Sequence, residues 1–549
     1  MLSSTYLIKG IRLLFTKGPV VLYRRVMLHG QRYLANWKLK RYLQIDDREL
    51  EIQRNYRFRQ SPVISILTPL YNTPECFLRD MINSVIGQTY PYWELCLADG
   101  SDVENSYVEE VCREYANLDS RIQYKKLKEN RGISENTNEC IRISSGEFLG
   151  LLDHDDILHP SALFEVVLSI NKYNADFIFT DEVKFSHNIN DPYDPAFKPD
   201  FSEEELRALN YICHFTAFKR QLIDQAGAFN STYDGSQDHD LVLRLTEKAE
   251  CIIHIPKVLY YWRVHKESVA FSIEAKHYAI KAAQEAILSQ LKRCNEKGKI
   301  ESTELFPTVY RIKYELAEKS LVSIIISGGS LAQTRQCKLL LKKALSYQPY
   351  EIICSENPLT VSNEEIRKQT NGKYILLLDT SLISIGEDCI QELLMLLQKP
   401  KIKLVGGMPI NHKQKLLYAG ITYTHNMNEP LCYWHEGLST DLIRYKMELH
   451  HVRSTTALWE GFMMFKADDW RRTGGFSGLT SDFLGPDLCL RLKGDGEILW
   501  TPYAKAVFKI NRIRKNQDFT DRFFYDHWGQ LCKQNDPHCN PNLKKFNFI

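Results

Sequence analysis

Asp153-His154-Asp155-Asp156 follows an apolar run, Phe148-Leu149-Gly150-Leu151-Leu152. Carboxylates this close together repel one another unless a cation or solvent separates them. A hard divalent ion with oxygen ligands, gripping a substrate phosphate, suits such a cluster. The same residues also read as a polar turn before a helix that starts at His159-Pro160-Ser161. A second carboxylate, in Asp99-Gly100-Ser101, ends another apolar run. It could accept hydrogen bonds from a nucleotide base beside a tight glycine turn, or serve as a turn residue or helix cap.

These residues have to be placed by strands. A short apolar run bounded by polar residues reads as a buried strand of a parallel sheet, and ligands of open α/β sheets sit just past the carboxyl ends of strands. Strands are predicted over 63–67, 93–98, 122–127, 148–152 and 176–180, with helices over 78–88 and 136–143 among those between them. Strand–helix alternation predicts a right-handed, mostly parallel α/β sheet. Thr68-Pro69-Leu70-Tyr71-Asn72 then forms the loop at the end of the first strand, and Asn130-Arg131-Gly132 opens a later helix.

The chain has 549 residues, enough for two or three domains, and is 44% hydrophobic. A formal net charge of +2 excludes nucleic-acid binding through bulk charge. The 14 cysteines are scattered without a Cys-x-x-Cys pair, which fits buried thiols in a reducing compartment better than a disulfide framework. No apolar run reaches the roughly 18 residues of a membrane span, and Arg12, Lys17, Arg24 and Arg25 interrupt the apolar start, which argues against a secretory signal. Residues 1–45 carry nine Lys/Arg and no Asp/Glu. Leu7, Ile8, Ile11, Leu14 and Phe15 recur there at helical spacing, so the segment could lie on an anionic membrane surface or pack on a neighbouring domain or partner.

In order along the chain, Thr68-Pro69-Leu70-Tyr71-Asn72, Asp99-Gly100-Ser101, Asn130-Arg131-Gly132 and Asp153-His154-Asp155-Asp156 resemble the motifs of family 2 glycosyltransferases with the GT-A fold. The resemblance implies that Thr68, Pro69, Tyr71, Asn72, Asp99, Arg131 and Asp153 hold a donor nucleotide. It implies Mg²⁺ or Mn²⁺ on the donor diphosphate, with Asp153, Asp155 and His265 as ligands. Many members carry two aspartates before Gly-Ser, where this chain has Ala98 then Asp99. In Gly235-Ser236-Gln237-Asp238-His239-Asp240, the resemblance makes Asp238 the catalytic base that takes the acceptor proton; Asp238 or Asp240 also reads as a plain helix cap, a role that suits Asp240 better. Tyr260-Tyr261-Trp262-Arg263-Val264-His265 resembles the family's Trp-Arg-x-His segment, which puts Trp262, Arg263 and Gln237 near the acceptor or diphosphate. Asp194-Pro195-Ala196-Phe197-Lys198-Pro199-Asp200, Asn210-Tyr211-Ile212-Cys213-His214 and the Pro-Asn-rich 536–543 resemble a rhamnosyltransferase-like subgroup of O-antigen and cell-wall polysaccharide synthesis.

From Leu321 the pattern restarts. Leu321-Val322-Ser323-Ile324-Ile325-Ile326 lines up with residues 63–68, and Gly372 to Leu382 with Gly146 to Asp156. Asp155 becomes Ser381 and Asp156 becomes Leu382; Asp238 becomes Gly485, whereas Asp240 and Arg244 recur as Asp487 and Arg491. Self-similarity on this scale predicts tandem copies of one fold. The expected organisation is a basic helical segment over 1–60, a catalytic GT-A domain over 61–270, a helical connector over 271–318, a degenerate GT-A-like domain over 319–510 and a tail over 511–549. The expected function is inverting, metal-dependent transfer from a nucleotide-diphosphate sugar to a glycan or lipid-linked glycan, with rhamnose as one candidate sugar. The expected setting is cytoplasmic, with peripheral contact at the inner face of the membrane as an option. A non-catalytic glycan-binding scaffold, a nucleotidyltransferase on a related fold and a bifunctional polymerase are the rival readings.

Overall fold

The computed structural model describes residues 38–44, 46–265, 273–355, 366, 368–424, 430–440, 445–477, 481–513 and 522–546. Nearly all of the basic amphipathic stretch lies outside the described residues. Among the described residues, no helix is long and apolar enough to cross a membrane.

The first sheet contains β1 (Ile64–Leu70), β2 (Trp93–Asp99), β3 (Ile122–Lys126), β4 (Phe148–Leu151), β5 (Ile157–Leu158), β6 (Phe177–Phe185), β7 (Tyr193–Ala196), β8 (Thr216–Lys219) and β9 (Ile252–Arg263). Their order is β3-β2-β1-β4-β8-β6-β9-β5, with β7 on β6. β1 to β4 run parallel. β8 runs against both β4 and β6, and β9 runs with β6. The carboxyl ends of β1, β2, β4 and β9 and the amino end of β8 therefore share one edge.

Alternation along each strand explains why both faces of this sheet are covered. Ile64, Ile66, Leu95 and Leu97 enter one core, beneath the helices Glu75–Ile86, Tyr107–Leu118 and Ala162–Tyr173. Leu67, Cys96, Ala98 and Leu149 enter the other, with Cys140 from the helix Ile133–Ile143 and Leu241 and Leu245 from the helix Gln237–Thr246.

The helix Ile273–Arg293 and the hairpin of β10 (Gly298–Ser302) and β11 (Tyr310–Tyr314) lead to a second sheet. It is built from β12 (Val322–Ser327), β13 (Tyr350–Ser355), β14 (Tyr374–Asp379), β15 (Leu382–Ile385), β16 (Ile402–Asn411), β19 (Arg453–Ser454), β20 (Phe462–Lys466) and β21 (Glu497–Phe508), while β17 (Ile421–Tyr423) and β18 (Leu431–Tyr433) pair separately. Its order, β13-β12-β14-β20-β16-β21-β15, reproduces β2-β1-β4-β8-β6-β9-β5 strand for strand. The directions match as well: β12 with β14 parallel, β20 antiparallel to β14 and β16, and β21 parallel to β16. The protein is thus an α/β chain with two tandem copies of one mixed, largely parallel sheet.

One small motif shows why the repeated glycines recur. The Gly146 amide donates to Ser65 Oγ at 2.9 Å, and the Ser65 hydroxyl donates to Glu94 at 2.6 Å. A Cβ on Gly146 would meet Ser65 Oγ at 2.5 Å. Gly372, Ser323 and Glu351 repeat this arrangement in the second copy, where a Cβ would meet the Ser323 amide nitrogen at 2.5 Å.

The copies meet through buried ions. Arg207, with no exposed side-chain surface, bonds Glu204 at 3.0 Å, Glu203 at 2.6 Å and Glu296 at 2.7 Å. Lys399 of the second copy pairs with Glu296 at 2.9 Å and with Glu204. Removing one partner from such a network strands a buried charge. A separate apolar cluster joins Leu39, Val183, Phe185, Phe197 and Val258 to Trp434 of the second copy and to Leu543 and Phe546 of the tail.

Candidate active site

At the nucleotide side of the shared edge, Asp99 is fully buried. Its Oδ2 accepts from Tyr124 Oη at 2.8 Å and Lys126 Nζ at 2.9 Å, and its Oδ1 from the Ser101 amide at 2.8 Å. Asp99 thereby fixes the turn after β2. The loop after β1 is braced against that turn: Asn72 N donates to Ser101 Oγ at 2.8 Å, Asn72 Nδ2 to Asp102 at 2.8 Å, and Tyr71 Oη to Asp102 at 3.1 Å. Tyr71 leaves 44% of its surface exposed, enough to offer a ring face to a base. Thr68 is buried with no hydrogen-bond partner for its hydroxyl, Pro69 is half-buried, and Arg131 is exposed just before the helix Ile133–Ile143.

Past β4 the three carboxylates take different neighbours. Asp156 is fully buried and accepts from Tyr260 Oη at 2.5 Å and from the Arg263 amide at 2.6 Å. Asp155 faces His265, with Nε2 2.8 Å from Oδ2. Asp153 has His214 Nε2 at 3.7 Å. Asp153, Asp156 and His214 each offer a ligand atom, and these atoms lie within 4.8 Å of one another. Burial pushes the Asp153 carboxyl up, Asp155 and Asp238 push it further, and His214 opposes them. Its side chain is still 45% open to solvent, which moderates that push. Burial and the charges of Asp155 and Asp153 also raise Asp156 well above the usual carboxylate range. A divalent cation would relieve this crowding, so the donor set, two carboxylates and an imidazole, fits Mg²⁺ or Mn²⁺.

His214 is held by stacking on Tyr260, with centroids 4.7 Å apart, and meets the edge of Trp262 at 5.7 Å. Trp262 also lies under Lys184 Nζ at 5.1 Å. Asp238 is in the first turn of the helix Gln237–Thr246, where its Oδ2 accepts from Asn210 Nδ2 at 2.9 Å and faces Cys213 Sγ at 3.8 Å. Gln237 turns back to accept from the Gly235 amide at 2.8 Å. Asp240 is buried and bonded to Arg244 at 2.7 Å, a tie within the helix.

The structure assigns several of these residues differently from the sequence reading. The inward cluster is Asp153, Asp156 and His214; Asp155 and His265 form a pair beside it. Arg263 is 3% exposed, lies between the rings of Phe77 and Phe185, and bonds the Asp155 carbonyl at 2.6 Å and Asp80 at 2.9 Å. Its guanidinium is therefore turned into the protein, where it fixes the Asp153–Asp156 turn instead of reaching out to a diphosphate. Asp102 and Tyr260 were not singled out, because their roles arise only when separate loops meet. His214 had one signal in the sequence, a polar residue directly before an apolar strand.

Residues 65–227 match the model of glycosyl transferase family 2. "Uncharacterized protein y4gI" of Sinorhizobium fredii is 30% identical over 89% of this chain and 58% of its own length. The O-antigen biosynthesis protein RfbC of Myxococcus xanthus is 27% identical over 89% of this chain and 41% of its own. The chain thus spans about half the length of these relatives. Among solved structures, S. aureus TarS 1-349 in complex with UDP is similar over 41% of this chain and 65% of that one, at 18% identity and a TM-score of 0.33. The match to glycosyl transferase family 2 thus falls on the first copy, the one that carries the carboxylate cluster.

Proposed function

We propose that the first copy transfers a sugar from a nucleotide-diphosphate donor to a hydroxyl of a glycan or lipid-linked glycan, in the assembly of a surface polysaccharide. The observation that supports this best is that one short segment joins the two groups: Asn210 and Cys213 contact Asp238, and the adjacent His214 lies 3.7 Å from Asp153. The strand-end loops carrying Tyr71, Asn72 and Asp102 would seat the nucleoside, and Asp153 would face the donor. When bound at Asp153, Asp156 and His214, Mg²⁺ or Mn²⁺ would neutralise the diphosphate and the charge of the departing nucleotide. Asp238 takes the proton of the acceptor hydroxyl as its oxygen attacks the anomeric carbon. The bond to the nucleotide diphosphate breaks on the opposite side, so the configuration inverts. His214 and Trp262, both partly exposed and backed by the buried Tyr260, would offer an aromatic surface beside the reacting centre, suited to a sugar face. Likeness to an O-antigen biosynthesis protein supports an envelope polysaccharide as acceptor.

The test is incubation of the full chain with a panel of nucleotide sugars and glycan acceptors, with Mn²⁺, Mg²⁺ or chelator. The expected result is metal-dependent release of nucleoside diphosphate matched by a new glycosidic bond of inverted configuration in the product's NMR spectrum. A product of retained configuration would overturn the one-step mechanism.

A further inference from the structure

Three stretches in the sequence, 194–200, 210–214 and 536–543, have had no chemical role so far. In the structure they form one connected support behind Asp238. Lys198 is buried, 3% exposed, and its Nζ donates to the Glu182 carboxylate at 3.1 Å and to the Ile212 carbonyl at 2.6 Å. It donates to the His214 carbonyl as well. Those two carbonyls flank Cys213, whose φ of 36° is a left-handed conformation that side chains disfavour. Such a residue persists only where its surroundings over-determine it, and it is found mostly at functional sites. Glu182 completes the clamp by accepting from the His214 amide at 3.3 Å. Burial pushes the Glu182 carboxyl up, but the charges of Lys198, His214 and Lys446 outweigh it and hold it below the usual range.

Behind Lys198 stands the tail. Asn540 Nδ2 donates to the Lys198 carbonyl at 2.9 Å and to Asp181 at 2.8 Å. Four residues earlier, Asp536 accepts from the Tyr423 amide at 2.8 Å and Thr456 Oγ1 at 2.6 Å, both in the second copy. In front, the clamped segment presents Asn210 and Cys213 to one oxygen of Asp238, Oδ2. The other oxygen, Oδ1, is then aimed by the first.

We propose that Lys198 and Asn540 are positioning residues for transfer: together they lock the 210–214 segment, which orients the Asp238 carboxylate, and they carry that support from the second copy through the tail. The inference rests on Asp238 being the base. Without Lys198 the left-handed turn at Cys213 relaxes, and Asn210 no longer fixes Oδ2. The nucleoside loops after β1 and β2 do not pass through this clamp, and the His214 ring is anchored separately by Tyr260 and Trp262.

The experiment uses the full chain with Lys198→Met, which keeps the length of the stem without its charge, and Asn540→Ala. Two readouts are taken on each: steady-state transfer, and amide hydrogen exchange of the peptide spanning 210–214. For Lys198→Met the expected result is a turnover at least tenfold lower with donor KM within threefold of wild type, and exchange in 210–214 at least tenfold faster. Asn540→Ala should show the same pattern at smaller size. Unchanged exchange in 210–214 would overturn the proposal, as would loss of donor binding in step with turnover, since that is what general structural damage produces. If Lys198→Met fails to fold, Asn540→Ala decides by the same exchange readout. If the wild-type chain transfers no sugar to any acceptor, the proposed function fails, while the exchange measurement still decides whether the clamp exists.

Discussion

The two copies share a skeleton and differ in what stands at its working edge. Seven strands recur in one order and with one set of directions. The Gly146–Ser65–Glu94 motif recurs as Gly372–Ser323–Glu351. The helix tie of Asp240 to Arg244 recurs as Asp487 to Arg491 at 2.8 Å. At the edge the likeness ends. Asp379, the counterpart of Asp153, accepts from the Ser381 amide at 2.8 Å, and Leu382 pairs with Phe508 at the end of the sheet. Gly485 stands where Asp238 would be, and a Cβ there would lie 2.5 Å from the Leu458 carbonyl oxygen. The second copy has thus closed over the position that Asp238 holds in the first. Fold-determining contacts are thus separable from chemistry: packing and helix ties hold the architecture after the reactive groups are gone.

The sharpest test of this asymmetry is Asp238→Asn in the full chain. Turnover should fall at least ~10²-fold, the low end for a general base, and a near-normal rate would sink the assignment of Asp238 as the base. Next is Tyr260→Phe, which removes the hydroxyl from Asp156 while leaving the ring under His214. Metal titration of donor binding should show an affinity loss of about tenfold or more, as expected when a ligand's supporting hydrogen bond is lost.

The reverse experiment is Gly485→Asp. It should bring no new activity and should lower stability by about 1–3 kcal/mol, the usual cost of forcing atoms into a filled space. Gly146→Ala and Gly372→Ala should each cost a similar ~1–3 kcal/mol in denaturant melts. Unequal costs would mean that the shared motif carries different loads in the two copies.

The smallest effect concerns acid. Burial pushes the Glu94 carboxyl up, but the Ser65 and Ser145 hydroxyls and the amides of Ser145 and Gly146 outweigh it and hold it below the usual glutamate range. Glu351 is held down in the same way by Ser323, Asn371 and the Gly372 amide, against burial. A carboxylate with a depressed folded pKa adds stability above its unfolded pKa and loses it as pH falls through the folded one. Glu94→Gln and Glu351→Gln should therefore each flatten the acid limb of the stability profile below about pH 4, near the unperturbed glutamate value.

Much of the architecture was legible in the sequence because apolar periodicity is a local signal. The strand read over 63–67 is Ile64–Leu70, and the helix read over 78–88 is Glu75–Ile86. The position of the carboxylate cluster was legible too. Its internal arrangement was not, because adjacent side chains point in different directions: Asp156 turns inward to Tyr260 and Asp155 outward to His265. Arg263 shows the same limit. Its type suits a phosphate, but Phe77, Phe185 and Asp80, which hold it, come from distant parts of the chain. The role of the tail was the least legible, since Asn540 acts on Lys198 across 342 residues of sequence.

That separation has a consequence in time. A ribosome adding roughly 5–20 residues per second needs on the order of 15–55 seconds to cover the roughly 280 residues between Arg263, the end of β9, and Asn540. Through that interval the first sheet has all its strands and its whole set of carboxylates, yet the brace behind residues 210–214 is missing. The nascent chain would therefore fold its donor cleft early and gain full transfer competence late. Sugar transfer would be withheld until the second copy has been made and the tail has crossed back.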